Sequence, residues 1–70
     1  MKIAVFSRGD IIVDKNQKLH GLILKNSNGI LTIKWTQDRK GVVRETLLAS
    51  DFVRKQMMRG NYSHISKEQL

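Results

Sequence analysis

The sequence predicts an all-β domain: a small closed or nearly closed barrel of five short strands. Three observations predict it. Apolar residues recur with a period of two. Glycine-containing turns cut that pattern at intervals of about ten residues. The segments between the turns are rich in β-branched and aromatic side chains, which suit a pleated sheet. The chain has 70 residues, enough for one domain. A chain this short buries only about 60% of its unfolded surface, so its core is small. It has no cysteine, so disulfides and thiolate metal sites are excluded. Its two histidines, His20 and His64, have no paired ligand spacing, and no metal or cofactor is expected. Oligomerisation, as a possible homodimer, is the remaining compensation for a small core.

In chain order, Ile3–Phe6 is a short apolar stretch that reads as a strand. Ser7-Arg8-Gly9-Asp10 ends it, too soon for a signal-peptide core or a membrane span, so the expected setting is the cytoplasm. Asp10–Asp14 is the first long strand, since Ile11-Ile12-Val13 places three β-branched residues in a row. Asp14-Lys15-Asn16-Gln17-Lys18 is a polar loop, and His20–Asn26 follows as a strand around Leu22-Ile23-Leu24. Asn26-Ser27-Asn28-Gly29 is the clearest turn, because Asn and Gly tolerate positive φ. Ile30–Thr36 is the strongest strand, with Leu31, Ile33 and Trp35 on one face and Thr32, Lys34 and Thr36 on the other. Gln37–Gly41 forms a hairpin loop into Val42–Leu48, where adjacent Val42 and Val43 break the alternation and suggest a bulge or an edge position.

Ala49-Ser50-Asp51 reads as a tight 3₁₀ turn. Beyond it two readings stand. Phe52–Lys55 can close the barrel as a last strand, the reading favoured by β-forming Phe52 and Val53; or Ser50 can cap a helix that runs to Arg59 and stops at Gly60. The barrel is thus expected over residues 1–60 and a mobile or weakly helical tail over 61–70. Alternation assigns the core to Phe6, Leu22, Leu24, Leu31, Ile33, Trp35, Leu47 and Phe52.

The pattern resembles the SH3-like small barrels, including KOW and Tudor-type modules and the plasmid-type barrel dihydrofolate reductases. The residues that carry the resemblance are Gly9-Asp10-Ile11-Ile12, Gly21-Leu22-Ile23, Ile33-Lys34-Trp35, Gly41 and Ala49-Ser50-Asp51-Phe52-Val53. It implies a five-stranded barrel with a 3₁₀ turn before the last strand, on a framework that hosts many unrelated activities. The reductases carry a Val-Gln-Ile-Tyr run in their pore, and the nearest stretch here is Glu45-Thr46-Leu47-Leu48. The exposed aromatics with which Tudor-type modules cage methylated side chains are also missing from the pattern.

Charge supplies the functional expectation. Thirteen bases against six acids give a net charge of +7, which points to an anionic partner. Lys15 and Lys18 flank one loop, Arg39 and Lys40 tip another with Arg44 close behind, and Arg54, Lys55 and Arg59 follow the closing turn. Loops at one end of a barrel converge, so Lys15, Lys18, Arg39, Lys40, Arg44, Arg54 and Lys55 form the candidate rim for nucleic-acid phosphates; a scattered, merely solubilising charge is the bland alternative. The competing partner is an acidic protein surface, on which the chain would act as a small phage-like accessory or inhibitory protein. No catalytic motif is present. Asp10, Asp14 and Asp38 read as turn and loop residues rather than an acid–base or metal set, and His20 as a strand histidine without a nucleophile at motif spacing. Trp35 reads as core, with base stacking as its alternative role. Tyr62, between polar Asn61 and Ser63, is the better candidate for an exposed aromatic. Met57 and Met58 suit either a partner surface or the cover of a barrel end.

Overall fold

The computed structural model describes residues 5–69. The fold is mostly β: one sheet of five antiparallel strands in the order β4-β3-β2-β1-β5, with one short helix. The strands are β1 (Ile11–Asp14), β2 (Leu19–Ser27), β3 (Ile30–Gln37), β4 (Gly41–Ala49) and β5 (Tyr62–Ile65). The helix α1 (Ser50–Met58) lies between β4 and β5, and a 3₁₀ turn covers Lys67–Gln69. The sheet is open: among the described residues no strand ladder joins β4 to β5, although α1 contacts both.

The first four strands form a meander that follows the sequence pattern. Asn28 and Gly29 take φ of 52° and 80°, so the β2–β3 hairpin turns through two residues with positive φ, the geometry that suits the strand twist. The irregular phase at Val42 and Val43 is a bulge, where the register shifts between Trp35 and Thr36, and β4 is an edge strand. The core consists of Phe6, Ile12, Leu19, Ile23, Leu31, Ile33, Trp35 and Val53.

Four of the expected core residues are displaced from it. Leu22, Leu47 and Phe52 are exposed and Leu24 is half-buried. In β2 the cause is phase. Gly21, not Leu22, faces the core, because Gly21 pairs with Trp35 and leaves room for its ring. Ile23 then points inward with Gly21, and a bulge between Ile23 and Lys25 takes up Leu24. In β4, Leu47 pairs with Thr32 on the outer face, while Leu48 opposite Leu31 packs against the core.

The favoured strand at Phe52–Lys55 is a helix instead. β4 ends at the Asn28–Gly29 end of the sheet, where the Ser50 N–H donates to the Gly29 carbonyl at 2.7 Å. β5 must start at the opposite end to run antiparallel to β1, since Tyr62 pairs with Asp14. The connection therefore has to cross the sheet, and nine helical residues span about 13 Å. Val53 is the buried residue of α1, and Met57 one turn later packs on the core. Ser50 is not the cap; Ala49 holds that position without a side-chain bond. Gly60 does stop the helix. Its φ is +81°, its N–H donates to the Met57 carbonyl and the Asn61 N–H to the Gln56 carbonyl, the two bonds of a Schellman motif.

The expected mobile tail is also corrected. Residues 62–65 form β5 on the free side of β1, with Ile11 opposite Ile65 and Asp14 opposite Tyr62. At the other terminus, Val5 and Phe6 are not in a strand; the rest of the expected Ile3–Phe6 strand lies outside the described residues. Phe6 is nevertheless core, held by Asn26 Nδ2 donating to its carbonyl at 2.8 Å.

Candidate nucleic-acid interface

The meander decides which cations meet. The β1–β2 loop and the β3–β4 loop leave the same end of the sheet, because Leu19 pairs with Gln37 and Gln37 with Gly41. Lys15 and Lys18 stand on the first loop and Arg39 and Lys40 on the second, all four exposed. Asp14 shapes the first loop: its Oδ1 accepts the N–H groups of Asn16 and Gln17 at 3.0 and 3.1 Å. The two loops are tied together. Arg44 Nη2 donates to Gln17 Oε1 at 2.7 Å, and Gln37 Nε2 to the Gln17 carbonyl at 3.4 Å. The partner of Arg44 in this bond is a neutral amide, and among the described residues no ion pair engages its guanidinium. Lys18 and Arg39 both have positive φ, 56° and 76°, which is uncommon outside glycine.

Of the seven cations singled out by sequence, the structure gathers Lys15, Lys18, Arg39, Lys40 and Arg44. Arg54 lies elsewhere. Its Nη1 is 3.1 Å from Asp51 Oδ1, and its guanidinium sits over the Phe6 ring at 5.2 Å. Lys55 is exposed on α1 and stands apart from both loops in sequence and element. Arg59 approaches the cationic end, because the chain passes from it to Asn61, whose carbonyl accepts the Lys15 N–H at 3.0 Å.

Beside Arg44 the fold assembles three rings that are distant in sequence. Trp35 is buried on β3, and its Nε1 donates to Thr46 Oγ1 on β4 at 2.8 Å. Tyr62 on β5 lies 5.9 Å from the Trp35 ring, and Phe52 on α1 lies 6.4 Å from Tyr62 at 76°. Phe52 is 42% exposed and Tyr62 is half-buried. Burial raises the Tyr62 phenol above its ordinary pKa, the Asp14 carboxylate adds to that, and the Arg44 guanidinium opposes it. The alternation of Tyr62 with Ser63 and His64 was the available signal for β5, and with it for this cluster.

A second constellation is structural. Asp10 is buried, and its carboxylate accepts three bonds: from the Ser7 N–H at 3.0 Å, the Lys67 N–H at 2.9 Å and His64 Nε2 at 2.8 Å. Burial alone would raise its pKa. The hydrogen bonds from Lys67, His64 and Ser7 and the field of His64 outweigh that and hold it below 3.8. Asp10 thus orders the turn at Ser7, as its place after Gly9 implied, and also fastens β5 to β1. His20 is an exposed strand residue. Among the described residues no cluster of three or more His, Asp or Glu side chains could hold a metal, and no helix is long and apolar enough to cross a membrane. No protein-family model matches the chain, and neither the curated proteins nor the solved structures yield a match.

Proposed function

We propose that this domain is a nucleic-acid-binding module of SH3-like design that grips backbone phosphates with the cationic end of its sheet. The convergence of two hairpin loops carrying Lys15, Lys18, Arg39 and Lys40, joined through Arg44 and Gln17, carries this reading. Two acids, Asp14 and Asp38, belong to the same loops, and Asp14 is buried and engaged with loop N–H groups. The bases therefore outweigh the acids at a surface of flexible, exposed side chains, which favours electrostatic contact over base-specific readout. The SH3-like assignment rests on the strand order, with the last strand beside the first. Self-association through the unpaired β4 edge is a further proposal, favoured by exposed Val42, Val43 and Leu47.

Fluorescence anisotropy with random-sequence duplex and single-stranded oligonucleotides, titrated at several salt concentrations, tests the binding. Each lost phosphate contact lowers the log–log salt slope by roughly 0.7–0.9. Replacing Arg39 and Lys40 together by alanine is expected to lower it by about 1.5 and to weaken all sequences alike. No binding of either oligonucleotide at low salt overturns the reading. The same cations would then be assigned to an acidic protein surface, in a non-enzymatic accessory role.

A further inference from the structure

We propose that the ligand is held as a single strand, with its bases stacked on the Phe52–Tyr62 surface beside the cationic loops. The inference rests on the phosphate-binding reading and names the form of nucleic acid. Three observations carry it. The ring chain Trp35–Tyr62–Phe52 runs from the core to the surface and ends in a phenylalanine that is 42% exposed. Its inner members are fixed, since Trp35 is buried and bonded to Thr46, and Tyr62 is held in the β5 ladder opposite Asp14. The strip is continuous with the cations, because Tyr62 pairs with Asp14 at the start of the first loop, and Arg44, which bonds Gln17 of that loop, pairs with Trp35.

Such a strip matches the two demands of an unpaired strand. Phosphates need positive charge, which Arg44 and the loops supply. Bases whose faces are no longer covered by neighbours need aromatic surface, and stacking accepts any base because every base has a π-face. A duplex hides those faces inside its stack and presents only its backbone, so it gains nothing from Phe52. The preference for single strands therefore resides in the aromatic residues, and the salt dependence in the basic ones.

The test compares an oligothymidine with a duplex of equal length by anisotropy at one salt concentration, on the wild type and on Phe52→Leu and Phe52→Tyr. Leucine keeps apolar bulk but removes the π-face. Phe52→Leu is expected to weaken oligothymidine binding roughly 5- to 100-fold, to leave duplex affinity and the salt slope unchanged, and to melt near the parent temperature. Phe52→Tyr is expected to restore single-strand affinity. Equal losses on both ligands, an unchanged single-strand affinity in Phe52→Leu, or a wild type that prefers the duplex overturns the inference alone. A wild type that binds neither ligand at low salt overturns the phosphate-binding reading, and this inference with it.

Discussion

Gly21 shows how one residue sets the phase of a strand. A Cβ on Gly21 would stand 2.5 Å from Ile33 Cγ2 and 2.9 Å from Trp35 Cε3. Both neighbours are fully buried, so neither can give way. Gly21→Ala is therefore expected to destabilise the domain by about 1–3 kcal/mol, the usual cost of overpacking, read as a lower urea midpoint with an unchanged m-value. Asp10 is a second decisive residue. Its folded pKa lies below 3.8, so it contributes stability that is present above the unfolded pKa and lost as pH falls through the folded one. Asp10→Asn is expected to cost about 2 kcal/mol at neutral pH. The gap between variant and wild type should begin to narrow as the pH drops below about 4, the unfolded value, and close only once the pH has passed the lowered folded value, where the wild-type carboxylate is protonated too; urea midpoints across that range check it. Sequence showed that Asp10 orders a turn. It could not show His64 and Lys67 on the same carboxylate, because they join it only once β5 lies beside β1.

The meander was legible element by element, since each hairpin is local and its turn chemistry explicit: Asn28-Gly29 for β2–β3 and Gly41 for β3–β4. The phase of β2 was not, because Leu22-Ile23-Leu24 is apolar on both faces and only the Gly21–Trp35 contact decides between them. Segment 50–58 reads both ways in sequence, because two β-formers, Phe52 and Val53, precede a run of Arg, Lys, Gln and Met that favours helix; the strand is the favoured reading, and the helix stopped at Gly60 is the one the structure adopts. β4 carries the consequence of lying at the edge. Its outer backbone is unpaired among the described residues, and Val42, Val43 and Leu47 stay 57%, 45% and 69% exposed. A long edge without proline is open to a second strand. Sedimentation equilibrium at micromolar concentration is expected to show a dimer, and Leu47→Lys to return the mass to 8.1 kDa. A wild type that is monomeric at that concentration counts against edge pairing.

Across the whole molecule, the cationic end could be anticipated from sequence in part. Lys15, Lys18, Arg39, Lys40 and Arg44 gather because their loops belong to alternate hairpins. Arg54 does not join them, because the helix turns it toward Asp51 and Phe6. The aromatic strip was hidden for the opposite reason: Trp35, Phe52 and Tyr62 come from three different elements. The pairing of β1 with β5 has a further consequence, in time rather than in space. Hairpins β2–β3 and β3–β4 close short loops, whereas the Asp10–His64 contact closes one of 54 residues, and the entropy lost rises with the logarithm of that length. The meander should assemble first and β5 should dock last, leaving the Asp10 carboxylate without its His64 and Lys67 bonds in the transition state. Mutations at the Asn28–Gly29 turn should then slow folding, whereas mutations at His64 or Ile65 should mainly speed unfolding. Until β5 docks, β1 is a bare edge, so the interval between closure of the meander and arrival of β5 is when this protein is most exposed to pairing with the wrong strand.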